Sequence, residues 1–302
     1  MSIVISGTGL YTPPHKISND ELVGAFNQYV AEFNQQNAQA IEAGELEALK
    51  PSSSEFITKA SGIENRYVMT KEGILDTEKM MPLTPQRSND EVSIQAEMAI
   101  GAAKQALEAA NKKPEDIDLI IVACSYTQRA YPAIAIEVQQ QLGCGGWAFD
   151  MLVACSSATF GIMNASNALE GGTAKSVLVI SPEIASPQIN YRDRDSHFIF
   201  GDVATAVVVE KEETATSDHA FRILAKKPMT SFSNNIRSNF GHLARHTPEE
   251  AFEGDKLFVQ QGRKVFKEVL PMVSKLIDEQ MSLAGIEKDD LKRLFLHQAN
   301  IN

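Results

Sequence analysis

The apolar positions of the chain fall into short runs that are separated by longer amphipathic stretches. The short runs are rich in β-branched residues, as buried strands are, and predict strands at Ser2–Gly9, Ile117–Ala123, Gly146–Val153, Ser176–Ser181, the end of Phe198–Glu210 and Arg293–Leu296. The stretches between them predict helices at 18–29, 88–110, 133–142, 156–169 and 256–283. The first two helices are marked by capping-box pairs, a Ser followed three residues later by a Glu. This alternation predicts an α/β fold with sheets buried between helix layers.

Two segments interrupt the alternation. Residues 34–54 are polar and rich in Gln, Glu and Ala, and we interpret them as an inserted helix and loop. Residues 70–89 contain two prolines and mixed charges, which favours a long surface arm. Neither segment has the length or the apolar content of a domain.

An internal similarity suggests two related halves. Glu108–Ala123 aligns without gaps to Ser282–His297, and both segments are interpreted as a helix end, an acidic turn and an apolar strand. We therefore expect residues 1–210 to form one half and residues 211–302 to begin a second. Cys155 lies about 32 residues beyond Ala123, so its counterpart would fall about 32 residues beyond His297, past Asn302, and the second half is expected to be incomplete as written.

Composition and charge narrow the class of protein. The 302 residues are 43% hydrophobic and 22% charged, as in an ordinary globular protein. The net charge of −11 argues against nucleic acid as a partner. The apolar runs are too short for membrane insertion, and the N-terminus lacks the features of a signal peptide. The three cysteines are therefore expected to be reduced thiols in the cytoplasm.

Cys155 is the candidate nucleophile. It follows a predicted strand and precedes a helix that begins with small residues, Ser156-Ser-Ala-Thr. The free N–H groups and the positive dipole of a helix N-terminus favour the reactive thiolate, and the same amides can hold an oxyanion. The alternative is a small buried cysteine without chemistry, which is the interpretation we keep for Cys124 and Cys144.

His297 is the candidate acid–base or hydrogen-bonding group. It opens the polar quartet His297-Gln-Ala-Asn300 directly after a predicted strand, where α/β sheets place ligand groups. An imidazole there can donate to a thioester carbonyl or transfer a proton, although a structural histidine is the alternative. No spacing of His, Cys or carboxylate residues indicates a metal site.

A set of motifs in one order resembles a known family. They are Gly7-Thr-Gly, Ser61-Gly-Ile-Glu-Asn-Arg66, Ala130-Tyr-Pro132, Phe149-Asp-Met-Leu-Val-Ala-Cys155, Phe200-Gly-Asp-Val-Ala204, Gly262-Arg-Lys-Val-Phe-Lys267 and His297-Gln-Ala-Asn300. Together they resemble the β-ketoacyl-acyl-carrier-protein synthase III group of thiolase-fold condensing enzymes. The similarity covers nearly all of the chain outside residues 34–54 and 70–89.

The resemblance implies a thiolase-like fold of two halves and a two-step reaction. Cys155 would take an acyl group from acyl-CoA and condense it with a malonyl thioester on acyl carrier protein, with loss of carbon dioxide. His297 matches the family's His, while the family's Asn would fall past the end of the chain and is not Asn300. Acyl-CoA enters as a substrate, so no cofactor is implied, and the expected partners are acyl carrier protein and a second copy of the chain.

The resemblance also implies binding residues. Phe56 and Arg194 match the pair that stacks on the adenine of coenzyme A, Tyr131 matches an aromatic that closes the partner's acyl pocket, and Phe266 is assigned to the acyl site. Ala60 and Arg263 depart from the family's Arg and Asn, which puts the affinity for coenzyme A and the identity of the donor in question. The basic residues Arg263, Lys264 and Lys267 predict docking of an acidic carrier protein on one side of a helix. A core aromatic at Tyr131, a solvated charge at Arg194 and a solvated face for the basic residues are the alternatives.

Two other functions stay open at this level. The chain could condense two acyl-CoA molecules, or make a quinolone or polyketide precursor. It could also be a non-catalytic binding subunit or an inactive fragment, because the third catalytic residue lies outside it.

Overall fold

The structure is a computed structural model that describes residues 2–238 and 257–299. The strands in these ranges are β1 (Ile3–Tyr11), β2 (His15–Ser18), β3 (Asn65–Val68), β4 (Leu119–Cys124), β5 (Trp147–Leu152), β6 (Ser176–Ile184), β7 (Asp202–Lys211), β8 (Phe221–Arg222), β9 (Ile236–Ser238) and β10 (Phe258–Gln260). The α-helices are α1 (Asn19–Gln36), α2 (Ala38–Glu42), α3 (Ser54–Ser61), α4 (Ile94–Ala109), α5 (Ile134–Leu142), α6 (Ser157–Glu170) and α7 (Gly262–Ala284).

A six-stranded mixed sheet organises the first part of the chain, with the strand order β5-β4-β6-β7-β1-β8. Strands β5, β4 and β6 run parallel, and β6, β7, β1 and β8 are joined by antiparallel pairs. Because helices cover both faces of the sheet, its central strands are apolar on both faces. Strand β4 shows this directly, since all six of its residues are buried.

Successive residues of β4 belong to two different apolar cores. Ile120 and Val122 pack with α4 and α5, whereas Leu119, Ile121 and Ala123 pack with α6. The sheet therefore lies between helix layers, as the sequence predicts.

Glycine and alanine set the distance between β1 and α4. A side chain at Gly7 or Gly9 would collide with the backbone of Ala106 or Ala102. Ala102 and Ala106 are themselves fully buried. The Gly7-Thr-Gly motif thus has a packing role.

Of the two predicted capping boxes, only the first begins a helix in the structure. Ser18 and Glu21 form a complete capping box, and α1 continues beyond the predicted end into the insert. Helix α4 instead begins at Ile94, six residues later than predicted, with Ser93 as its N-cap. The start predicted at Ser88 is wrong: Glu91 accepts a hydrogen bond from the backbone N–H of Ser88, but residues 88–93 form a turn and no helix.

The two irregular segments lie against the domain in different ways. After the short helix α2, the insert returns along α1 to Ser53, which caps α3. Residues 70–89 contain no helix or strand, but Ile74 and Met80 are buried against the core around α1. This segment is therefore anchored to the domain by apolar contacts.

The last described part differs from the prediction. The long helix is α7, which starts at Gly262, while the predicted start at Lys256 lies outside the described residues. Residues 291–298 have no regular secondary structure, so the predicted strand at Arg293–Leu296 is wrong, and Phe295 is 90% exposed. A strand requires a hydrogen-bonding neighbour, and no described strand pairs with this segment. Over the described residues, no helix has the length and apolar character to cross a membrane.

Candidate active site

Cys155 lies in a tight connection between β5 and α6. The connection contains a 3-10 turn, Ala154–Ser156, and α6 begins at Ser157. Ala154 has a φ angle of 46°, a left-handed conformation that costs a residue with a Cβ about 1–2 kcal/mol. Such strained residues cluster at functional sites, and here the strain lies next to Cys155, which is exposed as a whole residue.

Ser157 anchors this connection to the neighbouring strand. Its hydroxyl accepts a hydrogen bond from the backbone N–H of Val153 at 3.0 Å and donates one to the backbone carbonyl of Cys124 at 2.8 Å. Further along α6, Gly161 lets the helix approach the sheet, because a Cβ there would lie 2.6 Å from a methyl group of Val179. Ser157 and Gly161 therefore hold α6 close to the sheet.

The protonation of Cys155 differs from the expectation. Although the residue is exposed as a whole, surrounding protein atoms displace water from the sulfur and raise the pKa of its thiol above the ordinary value. The carboxylate of Glu183 adds repulsion, while the residue's own backbone N–H favours the thiolate and offsets part of the rise. The pKa is therefore raised and not lowered as expected, because desolvation and the Glu183 carboxylate together outweigh the hydrogen bond from the backbone N–H.

Glu183 is a residue of the site that sequence reasoning missed. One oxygen of its carboxylate accepts the backbone N–H of Ser125 at 2.8 Å, and the other is buried without a hydrogen-bond partner among the described residues. Burial raises the pKa of this carboxyl to about 7. An acidic residue near the end of the otherwise apolar strand β6 was the available signal.

Two aspartates, the half-buried Asp150 and the buried Asp202, hold the loops around the site. Asp150 on β5 accepts the backbone N–H groups of Ile134 and Ala135, both at 2.7 Å, and so caps α5. Asp202 on β7 accepts the backbone N–H groups of Met69 and Ser186, both at 2.8 Å. The aspartates of the Phe149-Asp and Phe200-Gly-Asp motifs therefore act as structural hydrogen-bond acceptors.

Phe56 and Arg194, the pair that the family resemblance assigns to the adenine, are in direct contact. The guanidinium carbon of Arg194 is 4.2 Å from the centre of the Phe56 ring, within cation–π range. The Nε–H of Arg194 also donates to the backbone carbonyl of Pro51 at 2.8 Å. The ring of Phe198 packs edge-on against that of Phe56, with 6.1 Å between the ring centres. These two contacts, with Phe56 and with Pro51, fix the guanidinium of Arg194, which is therefore not a freely solvated charge.

Tyr131 and the outer strand β5 form an exposed apolar edge. Tyr131 is 85% exposed, which rules out the alternative of a core aromatic. On β5, Trp147 stacks on Phe149 with ring centres 5.6 Å apart, and both Trp147 and Leu152 are exposed. Strand β5 ends the sheet, so its outer backbone groups have no strand beside them among the described residues.

The remaining predicted site residues lie on the later part of the chain. Arg263, Lys264, Phe266 and Lys267 are exposed on the first turns of α7, and His297 is exposed in the irregular segment. No hydrogen bond joins His297 to Cys155, both of which are described. Asn300, the last residue of the His297 motif, lies outside the described residues. In residues 2–238 and 257–299 no group of three His, Cys, Asp or Glu side chains is placed to hold a metal ion.

Comparison with known proteins agrees with this fold and with the motifs. The family model for 3-oxoacyl-[acyl-carrier-protein (ACP)] synthase III matches residues 149–226, which include Cys155. The chain is 56% identical to the β-ketodecanoyl-[acyl-carrier-protein] synthase of Pseudomonas aeruginosa over 278 residues, covering 92% of this chain and 79% of that protein. The crystal structure of 3-oxoacyl-[acyl-carrier-protein] synthase III from Aquifex aeolicus VF5 matches with a TM-score of 0.69 and 28% identity, covering 100% of this chain and 78% of that one.

A mixed sheet between helix layers, with an accessible cysteine where a parallel strand passes into a helix, defines a thiolase-fold condensing enzyme. The relationship to the Pseudomonas enzyme narrows the assignment further. The chain belongs to the β-ketoacyl-acyl-carrier-protein synthase III family, whose members are acyltransferases.

Proposed function

We propose that this protein catalyses a decarboxylative Claisen condensation between an acyl group held on Cys155 and malonyl-acyl carrier protein. The Cys155 thiolate attacks the acyl-CoA thioester, and coenzyme A leaves as a thiolate that takes up the proton given up by Cys155. The malonyl group then loses carbon dioxide, and the freed electron pair forms the new carbon–carbon bond while the sulfur of Cys155 leaves. The exposed cysteine in the turn that leads into α6 is the observation that carries this proposal.

The raised pKa of Cys155 makes its deprotonation part of the first step. At neutral pH the thiol is mostly protonated, so its proton must be lost as the acyl-CoA is attacked. The backbone N–H groups at the start of α6 are available to hold the oxyanion of the tetrahedral intermediate. We assign to His297 the stabilisation of the enolate oxygen in the second step, as in the family.

The nucleotide end of acyl-CoA is proposed to bind at Phe56 and Arg194, and the acyl chain near Phe266 and Tyr131. The contact between Arg194 and Phe56 supports the nucleotide site. The Pseudomonas relative is named for a ten-carbon product, and the condensation adds two carbons. We therefore infer a medium-chain, eight-carbon acyl donor for this chain as well.

Carrier protein is proposed to dock at Arg263, Lys264 and Lys267. All three side chains are exposed on one end of α7. They provide a local positive charge on a chain whose net charge is −11, and an acidic carrier would be directed to it.

A second copy of the chain is the proposed neighbour of β5. The exposed Tyr131, Trp147 and Leu152 and the unpaired edge of β5 are features that soluble proteins normally cover. Tyr131 of one copy would then close the acyl pocket of the other. The three cysteines are unpaired, which fits a reducing compartment such as the cytoplasm.

The division into residues 1–210 and 211–302 is likewise a proposal. The 3-10 turns Pro114–Asp116 and Lys288–Asp290 occupy equivalent positions of the two similar segments, each shortly after a helix end. This correspondence supports two related halves.

The test is the mass of the protein after incubation with octanoyl-CoA. We expect one octanoyl adduct, its absence in Cys155→Ala, and its retention in the matched control Cys144→Ala. His297→Ala should keep the adduct but release no β-ketodecanoyl product when malonyl-acyl carrier protein is added. An adduct on Cys155→Ala, or full turnover by His297→Ala, would overturn the corresponding assignment.

A further inference from the structure

Two asparagines on α1 hold the returning end of the insert. Asn34 donates to the backbone carbonyl of Leu49 at 3.0 Å and accepts the Leu49 N–H at 2.9 Å. About two helical turns away on α1, Asn27 makes the same pair of bonds with the backbone of Ser52, at 3.0 and 2.8 Å. Residues 49–52, here called the return segment, are thus fixed at both ends.

The return segment in turn holds Arg194. Pro51 lies between the two anchored residues, and its carbonyl accepts the Nε–H of Arg194. This bond and the contact with Phe56 fix the guanidinium on two sides, with 4.2 Å between its central carbon and the ring centre.

That distance is too short to admit a base. Non-bonded carbon atoms pack best about 3.5–4.0 Å apart, so a base stacked between the Phe56 ring and the guanidinium needs roughly 7–8 Å between them. Adenine can stack there only if Arg194 moves outward, and such a movement breaks its bond to Pro51.

We propose that the return segment and Arg194 form a latch over the nucleotide end of the acyl-CoA site, and that this latch sets the preference between acyl-CoA and acyl thioesters without a nucleotide. The proposal rests on the proposed function, since it takes Phe56 and Arg194 as the nucleotide site. Acyl-CoA must open the latch, whereas an acyl-pantetheine ends before reaching it. The insert is therefore a specificity element for the thioester carrier.

The test compares octanoyl-CoA with octanoyl-pantetheine in the acylation step alone. The second-order rate constant for adduct formation is measured by intact mass, so no carrier protein is required. Asn27→Ala and Asn34→Ala release the return segment, and we expect each to raise the rate constant for octanoyl-CoA about three- to tenfold. The rate constant for octanoyl-pantetheine should stay the same. Asn27→Asp and Asn34→Asp keep the bond from the backbone N–H and should give smaller shifts in the same direction.

Asn37→Ala is the matched control. Asn37 also lies at the end of α1, but its side chain bonds only to the carbonyl of Phe33 in the same helix. It should change neither rate constant. Thermal melting of each variant establishes that it is folded, and the Asn→Asp pair supplies the comparison if an alanine variant is not.

An independent measurement is inhibition by adenosine 3′,5′-bisphosphate, the nucleotide part of coenzyme A. Its dissociation constant for the Asn27→Ala and Asn34→Ala variants should fall by the same factor by which the rate constant for octanoyl-CoA rises. Three outcomes would contradict the latch. They are an equal change in the rate constants for both thioesters, no change in either rate constant, and a fall in the rate constant for octanoyl-CoA alone. If octanoyl-CoA formed no adduct at all with the unaltered protein, the proposed function itself would be wrong.

Discussion

The hydroxyl of Ser157 donates to the backbone carbonyl of Cys124 at 2.8 Å, and this bond joins the start of α6 to the end of β4. The same hydroxyl accepts the N–H of Val153, so one side chain bridges both sides of the turn that carries Cys155. The left-handed conformation of Ala154 lies inside the bridged segment. The position of Cys155, the proposed nucleophile, therefore depends on the side chain of Ser157.

Ser157→Ala should lower both stability and acylation. Ser157 is 2% exposed, and removal of its hydroxyl leaves the Val153 N–H and the Cys124 carbonyl without this partner. We expect the free energy of unfolding to fall by about 1–3 kcal/mol, measured by urea denaturation. The rate of octanoyl adduct formation should fall with it, because the turn is no longer fixed. Ser156→Ala is the control, since Ser156 is exposed and makes no capping hydrogen bond. Equal effects of the two substitutions would contradict this role of Ser157.

The sequence predicts well those elements whose signals are local. The predicted bounds of β4, β5, α5 and α6 agree with the structure to within two residues, because apolar periodicity and the small residues at the start of α6 are local signals. The predicted start of α4 is wrong because two serines, Ser88 and Ser93, each precede residues that could begin a helix. Only Ser93 is followed directly by the buried face of the helix.

The environment of the nucleophile depends on residues that are distant in sequence. The thiol pKa depends on burial and on Glu183, and Glu183 is held by Ser125, which directly follows β4. In the same way, Arg194 is fixed by a hydrogen bond to Pro51, in an insert more than a hundred residues earlier in the chain. The family resemblance assigns Phe56 and Arg194 to one site, but no local sequence pattern indicates how closely the two side chains pack.

Glu183→Gln should make Cys155 more reactive. The substitution keeps an acceptor for the Ser125 N–H and removes the carboxylate repulsion that raises the pKa of the thiol. Alkylation of Cys155 by iodoacetamide at pH 8 should therefore be roughly threefold faster, as followed by peptide mass. Glu115→Gln is the control, because Glu115 raises the pKa of Cys144 and is not among the groups that shift that of Cys155. An unchanged alkylation rate in Glu183→Gln would show that burial alone sets the pKa of Cys155.

The same substitution should change how stability depends on pH. In the folded protein the pKa of Glu183 is raised to about 7 from its usual 4.5, so between these pH values the folded state keeps a proton that the unfolded state loses. Stability contributed by the protonated carboxyl is thus complete below pH 4.5 and is lost as the pH rises through 7. Between pH 4.5 and 8.5 the unaltered protein should lose up to about 3 kcal/mol relative to Glu183→Gln, measured by urea denaturation at each pH. A difference that stays constant with pH would contradict the buried, protonated carboxyl.

Reversal of charge at the start of α7 should separate the two steps of the reaction. Lys267→Glu combined with Arg263→Glu removes the positive charge proposed to attract carrier protein, and both side chains are exposed, so the fold should be retained. We expect KM for malonyl-acyl carrier protein to rise about tenfold, while octanoyl adduct formation from octanoyl-CoA stays unchanged. The difference in KM between the two proteins should shrink as salt is added, because ions screen exposed charges over about 10 Å. Lys275→Glu is the matched control, since Lys275 is an exposed lysine on the same helix beyond the basic residues. If Lys275→Glu raises KM as much as the double substitution does, attraction depends on net charge and α7 is not the docking site.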